Sequence, residues 1–363
     1  MQEFSLEALL GLFSVPGIGP ARMRKLISIY GSPQNVLDTS ARSLMSVEGI
    51  DTKIANKIKT GINDKFVQKQ LNHLKNSNVK ILTFWDSGFP DRLKRIYDPP
   101  AFLFVKGDTK LLETQGIGIV GSRVPTPYGK TITEQLSREL VQNNFTIISG
   151  FARGIDTIAH NAALKSGGKT IAVLGNGLDI VYPAENRKLL DAFAEQGLFI
   201  TEYPFGTKPD AVNFPKRNRI ISGLGLGVLI TEAGGKSGAL LTAMYAIDQN
   251  REVFAVPGPV TSGKSTGTNN LIKQGAKLVQ GINDIISELS GQLSLHLDEP
   301  SRPEPNLKGN EKTLYGLLDD EAMHIDQLAI KAGISTTEAL TALLTLELTG
   351  IIRQMAGKMF TRI

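Results

Sequence analysis

The segment from Gly258 to Ser265 has the residue types and the spacing that bind nucleoside triphosphates in many ATPases. It reads GPVTSGKS and matches the phosphate-binding pattern GxxxxGK[ST]. In a working P-loop a helix begins at the Lys-Ser pair, so that its N-terminal amides face the phosphates. Residues 266–270 have the composition of a loop, helix signals resume only at LIKQGA, and the preceding strand is predicted to be the last of its sheet. We therefore interpret residues 258–265 as a surface loop and expect no ATPase activity.

A second glycine pattern, from Gly116 to Gly121, matches the dinucleotide-binding fingerprint GxGxxG. In that fingerprint the glycines follow a strand and open a helix. Here GIGIVG is itself strand-like, and Pro125 and Pro127 delay the next helix. The sequence therefore predicts no nicotinamide cofactor.

Asp156 and His160, four residues apart on a predicted helix, could share one face and bind a metal ion. The chain has no cysteine and only four histidines, and no third ligand lies nearby in the sequence. No serine lies in a strand-turn-helix elbow with a matching His and Asp. We therefore expect a structural, hydrogen-bonded Asp156–His160 pair, with no metal, no cofactor and no catalytic residue.

Polar segments, most of them glycine-rich turns, gather at the carboxyl edge of the predicted sheet. They are GSR at 121–123, SGFARG at 149–154, GNG at 175–177, NFPKRNR at 213–219 and EAGGKSG at 232–238. Glycine-rich turns that lead into helices present N–H groups to anions, and the arginines and lysines add positive charge. Aromatic rings that could stack on unpaired bases belong to Phe151, Tyr203, Phe205 and Phe214. This mixture favours holding a single nucleic-acid strand over cleaving a substrate.

Strand-like and helix-like runs alternate from residue 116 onward. The strand-like runs are GIGIVG, FTIISG, TIAVLG, LFITEYP, GVLITEA and EVFAVPG. This alternation predicts an α/β fold with an extended Rossmann-like, doubly wound and mainly parallel sheet. Such sheets bind ligands at the carboxyl ends of their strands, where the polar turns lie. We assign residues 80–297 to this core.

Residues 1–79 are predicted to form a helical domain of the helix-hairpin-helix or SAM-like type. VPGIGPARMRKLISIYG, from Val15, is echoed by VEGIDTKIANKI, from Val47. In such units a glycine-rich turn presents amides to a DNA phosphate. The second copy has Asp51 where the first has Gly19, and a carboxylate there would repel phosphate. Both DNA contact and a packing or interaction role stay open for this domain.

The C-terminal part is predicted to be a linker followed by a winged-helix domain. Residues 298–310 are rich in proline and charge, which is typical of a linker. Residues 311–363 contain three helix-like runs and a hairpin, and Ser335 and Glu338 have capping-box spacing. The third helix, TTEALTALLTLELTG, has no basic side chain, so protein contact is favoured over DNA reading.

Composition and charge narrow the class of protein. A hydrophobic fraction of 41% with 21% charged residues is ordinary for a globular protein. The net charge of +5 is divided unevenly, at +4 for residues 1–86, +4 for 87–297 and −3 for 298–363, so the body of the chain suits a polyanion. No apolar run approaches the ~20 residues of a membrane span, and the N-terminus does not resemble a signal peptide. We expect a cytoplasmic protein.

Seven ordered segments carry a family resemblance. They are GSRVPTPYG, SGFARGIDTIAHNAAL, TIAVLGNGLDIVYPAEN, EYPFGTKP, FPKRNRIISGL, EAGGKSGALLTA and AVPGP. Together they resemble the DNA-processing protein A family, also called DprA or Smf. The resemblance implies a protein that is not an enzyme, binds single-stranded DNA and forms homodimers. It also implies protection of incoming DNA and loading of the RecA recombinase during natural transformation and homologous recombination.

The resemblance also implies which residues contact DNA. Carried over motif by motif, the predicted contacts are Gly121, Ser122, Arg123, Phe214, Lys216, Arg217, Asn218, Arg219, Gly235, Ser237 and Gly238.

Two alternatives share this type of sheet. The first is a phosphoribohydrolase of the lysine-decarboxylase-like kind, whose glycine turn leads to a catalytic glutamate. Here the turn reads AGGKSGALLT, one residue longer, with Thr242 where the acid is needed. The second is a nucleotide-sensing regulator, for which the arginine-rich FPKRNR segment has no role.

Overall fold

The computed structural model describes residues 4–297, 307, 309–318, 323–349, 351–355 and 358–362. The chain divides into two compact units, Met1–Leu289 and Ser290–Ile363. The first unit contains the N-terminal helices together with the α/β core. Of the predicted linker, residues 298–306 and 308 lie outside the described part of the chain.

Six helices open the first unit, and side-chain caps define where most of them begin. Ser5, Ser32, Ser40, Asp51 and Asn63 each accept a hydrogen bond from a backbone N–H of the first turn. The helices are α1 (Leu6–Ser14), α2 (Pro20–Tyr30), α3 (Pro33–Asp38), α4 (Ala41–Leu44), α5 (Thr52–Thr60) and α6 (Asp64–Lys75). The Asp51 carboxylate thus already occupies the Ile54 amide, one of the α5 amides that a phosphate would need.

The helical domain packs directly on the α/β core. Its apolar core is continuous with Phe102, Phe104 and Phe205, which belong to the core. The Gln70 side chain donates to the Phe205 carbonyl (3.1 Å) and accepts from the Phe205 amide (2.9 Å). Residues 1–79 and 80–289 therefore behave as one compact body, although the sequence describes them as separate domains.

A nine-stranded sheet forms the centre of the first unit. Its strands are β1 (Lys80–Thr83), β2 (Phe102–Gly107), β3 (Gly116–Val120), β4 (Thr146–Ser149), β5 (Thr170–Val173), β6 (Gly197–Thr201), β7 (Gly227–Ile230), β8 (Glu252–Ala255) and β9 (Lys277–Leu278). Their order is β1-β2-β6-β5-β4-β3-β7-β8-β9. In this order, the strands from β6 to β9 are all parallel to their neighbours. At the other edge β2 is antiparallel to both of its neighbours, β1 and β6. The predicted doubly wound, mainly parallel sheet is confirmed.

The strand order reverses at β3, whose neighbours are β4 and β7. In open α/β sheets this is where a crevice forms at the carboxyl edge. The surrounding helices are α7 (Asp91–Lys94), α8 (Pro127–Gln142), α9 (Ile155–Lys165), α10 (Leu190–Gln196), α11 (Asn213–Leu224), α12 (Ala239–Asp248), α13 (Thr266–Lys273) and α14 (Ile282–Leu297). Short 3-10 helices cover Thr109–Glu113 and Ala184–Leu189.

Two local expectations about glycine motifs have different outcomes. Gly116 and Gly118 lie within β3 and Gly121 directly follows it, whereas the next helix begins only at Pro127, so these glycines do not open a helix. The expected loop at residues 266–270 is wrong, because α13 begins at Thr266, directly after the Lys264-Ser265 pair. The strand before this segment, β8, is not the last of the sheet either, since β9 pairs with it.

The second unit contains three helices and a three-stranded sheet. They are α15 (Asn310–Leu317), α16 (Ile325–Ala332), α17 (Thr336–Leu348), β10 (Met323–His324), β11 (Ile352–Met355) and β12 (Met359–Arg362). The predicted capping box is present, since Ser335 Oγ accepts from the Glu338 amide and the Glu338 carboxylate accepts from the Ser335 amide. The predicted winged-helix architecture is confirmed.

None of the helices in the described part of the chain combines the length and the apolar character that a membrane crossing requires.

Candidate nucleic-acid interface

A groove of about 720 Å³ opens at the carboxyl edge of the sheet, beside the point where the strand order reverses. We call it the main groove. Its walls come from the turn after β3, the first turns of α11, the glycine turn before α12 and the loop before α13. The predicted contact residues that line it are Gly121, Ser122, Arg123, Phe214, Arg217, Asn218, Gly235, Ser237 and Gly238. Lys216 and Arg219 do not line it.

The periodicity of α11 explains this division. Phe214, Arg217 and Asn218 stand at positions i, i+3 and i+4, so they share one helix face, and that face lines the main groove. Lys216 and Arg219 lie on other faces of the same helix. The polar segment 213–219 lies at the start of a helix, and only part of it faces the main groove.

Backbone contacts fix the turn that carries Arg123. The Ser122 amide donates to the Glu232 carbonyl (2.8 Å), and the Ile155 amide donates to the Ser122 carbonyl (3.1 Å). Gly154, with φ of +77°, packs so closely that a Cβ there would overlap the Ser122 carbonyl oxygen. The Arg123 backbone is thus held between two other turns, while its side chain is exposed.

Phe214 provides an aromatic surface flanked by cations. The guanidinium carbons of Arg123 and Arg217 lie 5.5 and 5.8 Å from the centre of its ring. The Tyr182 ring lies 5.8 Å from it, tilted by 30°. A base could stack here while a neighbouring phosphate meets Arg123. Tyr182 was not among the predicted contacts, although the VYPAEN segment contains it.

Arg217 forms the floor of the main groove and is buried. Its guanidinium donates to the carbonyls of Gly150 (2.6 Å) and Val173, at the ends of β4 and β5. Burial lowers its pKa to about 10, even though the nearby Asp156 carboxylate opposes the shift. Burial also raises the pKa of Asp156, although the charge of Arg217 and hydrogen bonds from the Ala152 and Gly150 amides act to lower it. Arg217 on α11 and Asp156 on α9 therefore link these two helices to the carboxyl ends of β4 and β5.

Arg219 lies in an ion-pair network instead. Its guanidinium contacts Glu202 (2.8 Å) and Asp98 (3.4 Å), and Asp98 also lies 3.6 Å from Arg24 of α2. Burial alone would lower the pKa of Arg219, but the charges and hydrogen bonds of Glu202 and Asp98 together raise it. The network joins the helical domain to the helix that carries Phe214.

Two exposed lysines complete the main groove. Lys236, in the turn before α12, and Lys264, before α13, both line it. The Thr242 hydroxyl, buried on α12 at the same wall, has no hydrogen-bond partner among the described residues. The sequence predicts a surface loop for the segment of Lys264 and does not include this lysine among the DNA contacts. It was missed because its segment was weighed only as a P-loop.

The structure gives a physical reason against triphosphate binding by that segment. A P-loop needs free amides that point at the phosphates. Here the Ser265 amide donates to the Ser262 carbonyl (3.0 Å) and the Gly267 amide to the Ala233 carbonyl (2.8 Å). The Lys264 amide donates to the Ser262 hydroxyl (3.3 Å). These donors are already used within the protein.

Several other expected roles change once side chains are placed. Phe151 and Phe205 are buried, so they offer no stacking face. Asp156 and His160 do not pair with each other in the described structure, because His160 Nδ1 bonds to the Thr170 hydroxyl (2.7 Å). No cluster of three or more metal-ligating side chains occurs among the described residues.

The carboxylate nearest to the glycine turn has a structural role. Glu232 is buried and accepts from the Thr126 amide (3.1 Å) and from its hydroxyl, at the start of α8. Thr242 stands where the phosphoribohydrolase alternative needs its glutamate. The main groove therefore lacks, among the described residues, the free acid that this alternative requires.

Comparisons with known proteins agree with this geometry. The profile of the DNA recombination-mediator protein A family matches residues 80–290. A DprA winged helix domain profile matches residues 298–358, and a SAM-like helix-hairpin-helix tandem profile matches residues 9–64. The Protein Smf of Synechocystis sp. is 35% identical over 384 residues, which cover 96% of each chain. The DNA processing protein DprA of Bacillus subtilis is 47% identical over 202 residues, or 55% of this chain and 68% of the relative.

Solved structures show the same relationship. The crystal structure of DNA processing protein A from Streptococcus pneumoniae superposes with a TM-score of 0.71 at 34% identity, covering 79% of this chain and 99% of that chain. A Helicobacter pylori DNA processing protein A, described for its single-stranded DNA binding mode, gives a TM-score of 0.54 at 35% identity, covering 59% and 96%. From its sequence, its fold and these relatives, the chain belongs to the DNA recombination-mediator protein A family.

Proposed function

We propose that this protein binds single-stranded DNA in the main groove. The observation that carries the proposal is the Phe214 ring, which lies beside the exposed Arg123 side chain and the Tyr182 ring within one open groove. A single strand exposes both its phosphates and the faces of its bases, and this arrangement meets both. The relative from Helicobacter pylori, a DNA processing protein A with a described single-stranded DNA binding mode, supports the same assignment.

The charges of the main groove suit phosphates at several points. Arg123, Lys236 and Lys264 are exposed cations on three separate wall segments. Asp156 also lines the groove, but it is buried beside Arg217, so its charge is balanced locally. We expect binding that depends strongly on salt and only weakly on base sequence.

Within this proposal the bound strand is incoming DNA, which the protein protects and onto which it loads the RecA recombinase. The role belongs to natural transformation and homologous recombination, takes place in the cytoplasm and involves a homodimer. No chemical step on the DNA is proposed. Support comes from the family assignment as a recombination mediator and from the basic, aromatic-lined groove.

The first test compares a labelled oligothymidylate with duplex DNA of equal length by fluorescence anisotropy. The proposal expects tighter binding of the single strand. Equal or tighter binding of the duplex would contradict it. RecA filament growth on single strands, measured with and without the protein, tests the loading role, and sedimentation tests the homodimer. Incubation with nucleoside monophosphates tests the phosphoribohydrolase alternative, for which base release would be the supporting result.

A further inference from the structure

A second basic groove, of about 380 Å³, lies next to the main groove. It is bounded by the turn at 123–125, the start of α8, the first turns of α9 and the 3-10 helix Ala184–Leu189. We call it the second groove. The residues that give it its chemical character are Arg123, Val124, Lys130, Arg153, Ile158 and Lys188.

The two grooves meet at one residue. Arg123 lines both of them. Tyr182, in the main groove, is followed along the chain by the 3-10 helix whose residues Glu185 and Lys188 line the second groove. A strand that meets Arg123 in the main groove therefore already lies at the edge of the second groove.

The second groove is strongly cationic. Lys130, Arg153 and Lys188 are exposed there in addition to Arg123, and Glu185 is its acidic member. Arg153 Nη2 lies 2.6 Å from Glu185 Oε1, and both side chains are more than half exposed. Exposed pairs of this kind are weak, so a phosphate could replace the carboxylate. Within the described residues, neither Lys130 nor Lys188 has an ion-pair partner.

Apolar surface accompanies these charges. Val124 is 72% exposed at the boundary between the two grooves, and Pro125 and Ile158 also line the second groove. Exposed apolar side chains between cations suit the sugars and base faces of a nucleic acid rather than a free inorganic anion. A duplex, whose bases are stacked inside, would leave this apolar surface unused.

We propose that the second groove is a further subsite for single-stranded DNA, which the strand enters after passing Arg123. Its phosphates meet Lys130 and Lys188, and Arg153 exchanges Glu185 for a phosphate. This inference rests on the proposed function of the main groove and extends the length of strand that one chain holds.

The test measures affinity and its salt dependence for oligothymidylates of about 4 to about 16 nucleotides, the range of site sizes of single-strand-binding OB folds. Both quantities should rise with length in the unaltered chain as the strand reaches the second groove. The double variant Lys130→Gln/Lys188→Gln should bind the shortest oligonucleotides normally. For long ones, its slope of log affinity against log salt should fall by about 1.4, at roughly 0.7 for each lost phosphate contact.

Three further variants control this result. Lys130→Arg/Lys188→Arg keeps the charges and should keep the slope. Lys106→Gln/Lys110→Gln removes two exposed lysines that line neither groove. It should not alter how the affinity and the salt slope depend on oligonucleotide length. Glu185→Gln removes the carboxylate that competes with the phosphate for Arg153, so it should raise the affinity for long oligonucleotides and leave that for the shortest ones unchanged.

The outcomes separate this inference from the function on which it rests. An unchanged slope for long oligonucleotides in the Lys130→Gln/Lys188→Gln chain would overturn the second subsite and leave the main groove intact. Equal losses for short and long oligonucleotides would also overturn it, because the lysines would then act through the main groove. Failure of the unaltered chain to bind any oligonucleotide would overturn the proposed function itself, and the subsite with it.

Discussion

Arg219 Nη2 lies 2.8 Å from Oε2 of Glu202, and both side chains are largely buried. Two residues earlier on the same helix, Arg217 lines the main groove. Two residues correspond to about 200° of rotation around an α-helix, so the arginines of one motif face nearly opposite sides. They can therefore have different roles, although both were predicted to contact DNA.

Replacing Arg219 with Ala should reduce stability more than it reduces DNA binding. The change leaves Glu202 without its main partner in a nearly buried position, and breaking such a pair costs about 3–5 kcal/mol. Urea denaturation measures the free energy of unfolding, and anisotropy measures the salt slope of the folded protein. A slope that falls by roughly 0.7 would show that Arg219 contacts a phosphate after all.

Replacing Arg123 with Ala should weaken binding to all single strands alike. The exposed guanidinium beside Phe214 is lost, so the slope of log affinity against log salt should fall by roughly 0.7 while the fold is kept. Arg138→Ala provides the matched control, because Arg138 is exposed on α8 but lines neither groove. Identical slopes for the two variants would remove Arg123 from the site.

Replacing Lys264 with Gln should lower the same slope by roughly 0.7, because the lysine lines the main groove. Neither this variant nor the unaltered chain should turn over ATP, since the amides of residues 264, 265 and 267 already have acceptors within the protein. The measurement combines anisotropy with a phosphate-release assay in magnesium. ATP turnover that disappears in the Lys264→Gln chain would contradict our interpretation of the GPVTSGKS segment.

His160 should make the protein less stable as the pH falls. Burial lowers the pKa of His160 to about 3 from an ordinary value of 6.5, with a smaller contribution from Arg217. Below pH 6.5 the unfolded chain therefore binds a proton that the native chain does not, and the free energy of unfolding falls by up to about 1.4 kcal/mol per pH unit. This loss should continue down to about pH 3, where the native chain also binds the proton.

The free energy of unfolding, measured against pH for the unaltered chain and for His160→Gln, isolates the contribution of His160. Asp156, whose pKa burial raises, acts in the opposite direction, because the native state binds its proton at higher pH than the unfolded state does. Both chains keep Asp156, so the difference in their pH dependence reports on His160. Parallel stability curves between pH 6.5 and pH 4 would show that His160 is not held neutral.

The sequence predicted the elements well because its periodicities are local. Strand runs such as GVLITEA and the capping box at Ser335 depend on neighbours a few residues away, and the structure has both. The groove was harder to predict, because it depends on which side of a helix a residue faces and on what lies opposite. The sequence places segment 213–219 at the carboxyl edge without a helical phase, and without that phase Arg217 and Arg219 cannot be distinguished. Lys264 reaches the groove only through the strand order, since β7 and β8 are adjacent.

Removing the C-terminal unit should leave single-strand affinity within a few-fold. A chain that ends after residue 299 keeps the nine-stranded sheet and every residue that lines the two grooves, so it should fold. The removed residues carry a net charge of −1, and α17 has no basic side chain, so phosphates find little to hold there. Leu340 and Leu344 are exposed one turn apart on α17, which is more typical of protein contact.

The measurement is oligothymidylate binding by both the truncated and the full-length chain at one salt concentration, with sedimentation to confirm that their oligomeric states agree. A loss greater than about 1.4 kcal/mol, or tenfold in affinity, would mean that the winged-helix domain touches the strand directly.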